Sequence, residues 1–262
     1  MVSIFRGSGF LQKLEVGDGL MISTTCLFVF FLAGALFSGS AVAGEKSLNQ
    51  PPAGFEALFN GVDLGNWRGQ IAEDPREIAE ITEGMTPEQI EAKQKEADRL
   101  TLQHWKVEDG VIHYDGTRGI GNLESRKHFG DFELYVDWKL PKGGDSGIFP
   151  RNMPQVQIWD PEGGKRNYVG SGGLDNNFAD DRRHLNPIKK ADKPIGEWNT
   201  FQIRMVGDKV WVKLNGEMVI DGQKKGNYWA SFKEPPPERG PIILQSHGSD
   251  LWFRNIFIRE LD

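Results

Sequence analysis

The chain has 262 residues, 26% of them charged and 11% aromatic, with 32 glycines and 14 prolines, which is a globular, turn-rich composition and not a disordered or fibrous one. Lys and Arg number 31 against 37 Asp and Glu, a net charge of −6, and this argues against a nucleic-acid partner, which needs a basic face. Cys26 is the one cysteine, so an intrachain disulfide and a cysteine-based zinc site are both excluded.

No charged residue occurs between Asp18 and Glu45. The apolar run Cys26–Phe37 follows Arg6 and Lys13 and precedes Ala41-Val42-Ala43, the small-x-small pattern that a signal peptidase reads. The run is short of the ~20 residues of a membrane span. Residues 1–43 are therefore expected to be a cleaved signal peptide, leaving 44–262 exported, periplasmic or secreted, without stable membrane insertion.

Between residues 70 and 103 lie nine acids and four bases, so this window holds most of the net charge and the rest is close to neutral. Asp74-Pro75-Arg76-Glu77 and Thr86-Pro87-Glu88-Gln89 both carry helix-start punctuation, a capping side chain followed by proline at the first helical position. Ile90, Ala97 and Leu100 make a thin apolar stripe. The window predicts a small helical insert on the surface of a larger domain.

Strands dominate the remainder. Trp105–Val107 and Val111–Tyr114 flank Glu108-Asp109-Gly110, a hairpin signal. Phe132, Leu134, Val136, Trp138 and Leu140 alternate with polar or half-polar residues, the period of a strand with one buried face. Val156 and Ile158 alternate with Gln155, Gln157 and Trp159. Strands are also predicted at 201–206, 210–214 and 218–220, with Asn215-Gly216 as a tight turn, then at 242–247 and 251–259. Gly143–Gly147 reads as a glycine-rich turn between strands. Many short strands without a βα alternation predict an all-β antiparallel sandwich or jelly roll.

Phosphate-loop, nucleophile-elbow and His-Glu-x-x-His motifs are absent; Gly170-Ser171-Gly172-Gly173 lacks the lysine of a phosphate loop. The polar strand faces are more informative. Gln155, Gln157 and Trp159 point one way, as do Gln245 and His247 on a later strand. Amides bridge hydroxyls and an aromatic face packs on C–H groups, so the pattern suits a sugar, although an ordinary solvated sheet face has the same alternation. Arg151 and Arg254 lie in apolar strand contexts, where an unpaired guanidinium is costly.

The segments Gly54–Trp67, Gly130–Leu134, Gly144–Ile148, Pro154–Asp160, Gly196–Asn199, Leu214–Gly216, Leu244–Gly248 and Trp252–Ile256, in this order, resemble the 3-keto-disaccharide hydrolase family, also described as 3-keto-glycoside lyase/hydratases. The resemblance covers about residues 53–261. It implies a concanavalin A-like jelly roll of two antiparallel sheets with a carbohydrate site on its concave sheet, and a 3-keto-glycoside as substrate. For cleavage through the acidic C2–H of a 3-keto sugar, His247 suits the base or acid role because imidazole titrates near neutrality. Asp145 and Glu124 are the expected carboxylate partners. Arg151, Gln155, Gln157, Trp159, Asp160, Gln245 and Arg254 are expected to bind substrate. His104, His113, His128 and His184 show no paired ligand spacing. No cofactor is assigned, and a divalent metal held by carboxylates with His247 stays open. A non-catalytic carbohydrate-binding module, or an interaction domain docking through the acidic insert, would share much of this pattern.

Overall fold

A computed structural model describes residues 47–163, 169–177 and 185–261; the expected signal peptide and His184 lie outside them. The chain forms β1 (Glu56–Ala57), β2 (Trp67–Gly69), α1 (Pro75–Thr82) and α2 (Pro87–Thr101). It continues through β3 (Trp105–Glu108), β4 (Val111–Asp115), β5 (Leu123–Ser125), β6 (Phe132–Lys139), β7 (Asp145–Pro150), β8 (Gln155–Trp159) and β9 (Leu174–Asp175). β10 (Asn199–Val206), β11 (Lys209–Leu214), β12 (Glu217–Lys224), β13 (Ile242–Leu244) and β14 (Asp250–Glu260) complete it.

Two antiparallel sheets result. One runs β12-β11-β10-β6-β14-β4-β3 with β1 added on β14, and the other runs β2-β5-β13-β7-β8-β9. The chain passes repeatedly from one sheet to the other, as a jelly roll does, and the expected concanavalin A-like sandwich is the fold. The predicted alternation decides which residues lie between the sheets. Phe132, Leu134, Val136 and Trp138 of β6 are buried against the interior, and Val156 and Ile158 of β8 close it from the other side. Each such side chain contributes about 1.5–3 kcal/mol on leaving water. The two-residue turns that the sequence predicts carry positive φ at both positions, 50° and 75° at Asp109-Gly110 and 52° and 86° at Asn215-Gly216, the primed geometry that matches strand twist.

Two expectations need correction. The segment 143–147 is not wholly a turn, since β7 begins at Asp145 and pairs with both β8 and β13. The strand expected over 242–247 ends at Leu244; beyond it the Gln245 amide still donates to the Gly147 carbonyl at 2.9 Å.

The helices form where their caps place them. The Asp74 side chain accepts from the Arg76 amide, and Thr86 with Gln89 makes a reciprocal capping box. α2 lies along β2, the edge strand of the six-stranded sheet. Gln94 Nε2 donates to the Gly69 carbonyl at 2.7 Å, and the Gly69 amide donates to Asp98 Oδ1 at 2.8 Å. A strand edge offers free amides and carbonyls to any passing strand, and here two helix side chains occupy them. A Cβ on residue 69 would stand 2.5 Å from the Ala97 carbonyl oxygen, so glycine permits the approach. The insert is thus a cap on the sheet edge as well as a surface element. Among the described residues no helix is long and apolar enough to cross a membrane.

Candidate functional site

The outer face of the six-stranded sheet carries the polar residues that the alternation singles out. Antiparallel register sets Gln157 opposite Gly147 and Trp159 opposite Asp145, while Glu124 stands opposite Ile243. Gln245 continues β13 alongside Gly147. A cavity of about 530 Å³ opens over this face, lined among others by Asp145, Gln155, Gln157, Trp159, Gln245 and His247, a size usual for small-molecule sites.

Its floor is a connected amide row. Gln155 Nε2 donates to Gln157 Oε1 at 2.6 Å and to Gln245 Oε1 at 3.0 Å. Gln157 Nε2 donates in turn to Asp145 Oδ1 at 2.7 Å. All three glutamines are buried, a burial that polar groups tolerate only when bonded. Gly147 is what admits them: a Cβ there would lie 2.5 Å from both Cγ and Nε2 of Gln155. Ser249 fixes the start of β7, its hydroxyl accepting from the Asp145 amide at 3.1 Å.

The row ends at a carboxylate–imidazole pair. Asp145 Oδ2 lies 3.3 Å from His247 Nδ1, with the side chains 43% and 57% exposed, so both are reachable from the cavity. The hydrogen bond to Asp145 raises the His247 pKa above the ordinary imidazole value. Burial opposes that rise, the charges of Asp145 and Glu73 add to it, and Arg118 works against it. With Nδ1 held by the carboxylate, Nε2 is the nitrogen left to exchange a proton. Asp160 also lines the cavity, but its two oxygens accept from the amides of Gly143 and Glu162, both at 2.8 Å. It therefore shapes the rim loop.

Three expected residues are placed elsewhere. Glu124 shares the outer face but is buried under Arg68, whose Nε donates to it at 2.7 Å; Ile243 stands beside it in the row. Burial raises its pKa, against the pull of Arg68. Arg151 is 1% exposed and lies at the far end of β7. Its guanidinium donates to Asp131 at 3.2 Å, to the Glu238 carbonyl at 2.9 Å and to the Gly207 carbonyl. Backbone carbonyls there meet the need that a buried guanidinium creates, so Arg151 ties loops together and touches no part of the cavity. Arg254 faces outward from the opposite sheet, stacked 4.0 Å from the Trp198 ring centre and 3.5 Å from Asp137.

Two other histidines among the described residues are partnered away from the cavity, His104 with Asp115 and His113 with Glu108 and Asp250, and His128 does not line it. No group of three or more His, Cys, Asp or Glu gathers to hold a metal among the described residues; Asp145 and His247 supply two. Arg118 lines the cavity without any sequence signal, because it comes from a loop more than a hundred residues before His247. The closest cue is Gly248, where a Cβ would stand 2.8 Å from Arg118 Cγ.

Comparison with known proteins adds a relationship. A family model described as the 3-keto-alpha-glucoside-1,2-lyase-like domain matches residues 54–259. A protein of Bacteroides thetaiotaomicron named 3-keto-disaccharide hydrolase is 24% identical, over 86% of this chain and 86% of its own length. A crystal structure from Parabacteroides distasonis, provisionally named a glycosyl hydrolase, matches 82% of this chain and 100% of its own with a TM-score of 0.55 and 23% identity. That likeness supports the fold alone.

Proposed function

The chain belongs to the family of 3-keto-alpha-glucoside-1,2-lyase-like domains, and from that premise we propose that it cleaves 3-keto-glycosides with net hydrolysis. The ketone at C3 acidifies the C2–H because the carbanion is an enolate. His247 Nε2 takes that proton, the enolate collapses to form the C1–C2 double bond, and the C1–O bond breaks. The leaving oxygen takes a proton from the imidazolium, and water then adds at C1 of the enone while a proton returns to C2. General base and acid catalysis of this kind is worth ~10²–10⁴ in rate.

The observation that carries this reading is the imidazole held by Asp145 at the end of a buried amide row. Gln155, Gln157 and Gln245 suit ring hydroxyls, and Trp159 offers a face for C–H groups. Arg118 is the cation suited to the developing enolate oxygen. The uncharged apolar run before Glu45 supports an exported enzyme acting outside the cytoplasm. The test is to offer the purified protein 3-keto-cellobiose, 3-keto-trehalose and their unoxidised parents while following glucose and enone absorbance. Cleavage of the keto sugars alone is expected. Glycan binding without release of glucose from any of them would make the protein a carbohydrate-binding module instead.

A further inference from the structure

A second cavity of about 500 Å³ lies against the first, and Gln245 and His247 line both. One side of it is polar. Asn122 Nδ2 donates to Gln70 Oε1 at 2.9 Å, and both amides are buried. The other side belongs to the helical insert and its approach, where Ile71, Ala72, Ala97 and Leu100 present apolar surface. Leu100 is 47% exposed, a large apolar group facing solvent from a helix whose outer surface is otherwise mostly charged. Among the described lining residues the only charged side chains besides His247 are acidic, namely Glu73, and no lysine or arginine takes part.

We propose that this second cavity is the subsite for the leaving half of the glycoside, and that it takes a second, uncharged sugar ring. The inference rests on the reading of the first cavity as the place of the ring that loses its C2 proton. A bond that breaks beside His247 has one ring in each cavity, because the imidazole stands in the wall that they share. A pyranose has a C–H face and a rim of hydroxyls, which suits an apolar wall facing a floor of amides. An anionic leaving group meets Glu73 and the negative charge of the insert with no cation to offset them. The insert that caps the β2 edge is therefore also the leaving-group wall.

The test uses the whole protein carrying Leu100→Ala or Leu100→Arg, with 3-keto-cellobiose compared against methyl 3-keto-β-glucoside. Leu100 is half exposed, so both variants are expected to keep the parent melting temperature. Leu100→Arg is expected to lower kcat/KM for the disaccharide by about tenfold and Leu100→Ala by about threefold, with the methyl glycoside within about twofold of the parent, since a pocket contact of this size discriminates by roughly such factors. Equal losses on the two substrates, or no loss on either, would overturn the subsite. If the parent cleaves neither keto sugar, the catalytic reading falls separately, and calorimetric affinity for cellobiose against glucose decides the subsite. Loss confined to cellobiose in the variants then sustains it; equal affinities or absent binding overturns it.

Discussion

Gly147→Ala is the sharpest probe of the amide floor. The glycine has no unusual φ, so the substitution tests space and not backbone strain. The added methyl would stand 2.5 Å from Gln155 Cγ and Nε2 and 2.7 Å from Cδ, and three carbon or nitrogen atoms that close force the side chain to move. Gln155 is buried, and its amide donates to Gln157 at 2.6 Å, to Gln245 at 3.0 Å and to the Ser146 carbonyl at 3.3 Å. Displacing it breaks two good hydrogen bonds and one weak one, at about 1 kcal/mol each, for a total of about 2–3 kcal/mol. In a domain of this size that lowers Tm by roughly 4–12 °C. Differential scanning calorimetry gives the stability arm, and titration with cellobiose gives the binding arm, where affinity should fall about tenfold as the floor loses its order. A variant with parental Tm and parental affinity would show that the glutamines repack freely and that Gly147 does not hold the floor open.

Four further outcomes are expected. His247→Ala should lower turnover of 3-keto-cellobiose by ~10²–10⁴ with Tm nearly unchanged, as befits a half-exposed side chain beyond a strand end; near-full turnover would move the base elsewhere. The base form of His247 is the neutral one, so kcat/KM should rise with pH through a midpoint above the ordinary imidazole value. Asp145→Asn should shift that midpoint to lower pH, because the carboxylate is what favours the imidazolium, and an unmoved pH profile would exclude His247 as the titrating group. Replacing residues 74–100 by a Gly-Ser bridge should leave a folded sandwich that self-associates through the bared β2 edge, to be read by sedimentation; a monodisperse monomer would refute the edge-cap role of Gln94 and Asp98. Buried Lys225 has its pKa pushed down to about 7 by desolvation. Below that value the charge is buried in the fold, and between about 7 and the unfolded value the unfolded chain binds the extra proton, so stability rises with pH there. Lys225→Met should therefore stabilise more at pH ~6 than at pH ~10, and an equal gain at both would contradict it.

Several parts of this protein are legible without coordinates because their causes are local. The helix starts at Pro75 and Pro87 follow from caps within three residues. The hairpin turns at Asp109-Gly110 and Asn215-Gly216 follow from the φ that those residues tolerate. The shared face of Gln155, Gln157 and Trp159 follows from the two-residue period of a strand, and the sandwich itself follows from the alternation repeated along the chain. The motif order was enough to identify the family.

What the chain order leaves open is which faces meet. Asp145 and His247 touch because β7 pairs with β13 in one register, and a slip of one residue would turn either side chain to the other face. Glu124 lies on that same face, yet Arg68 from the neighbouring edge strand claims it. Arg151 and Arg254 both follow apolar stretches of sequence, and nothing local says that backbone carbonyls satisfy one while the other stacks on Trp198 across the opposite sheet. The second cavity needs α2 docked on β2, an approach that depends on the absent Cβ of Gly69. Periodicity and capping act over a few bonds and so can be read along the chain. Partner choice for a buried charge, strand register and the walls of a cavity depend on residues tens to a hundred positions apart, and only the folded chain brings them into contact.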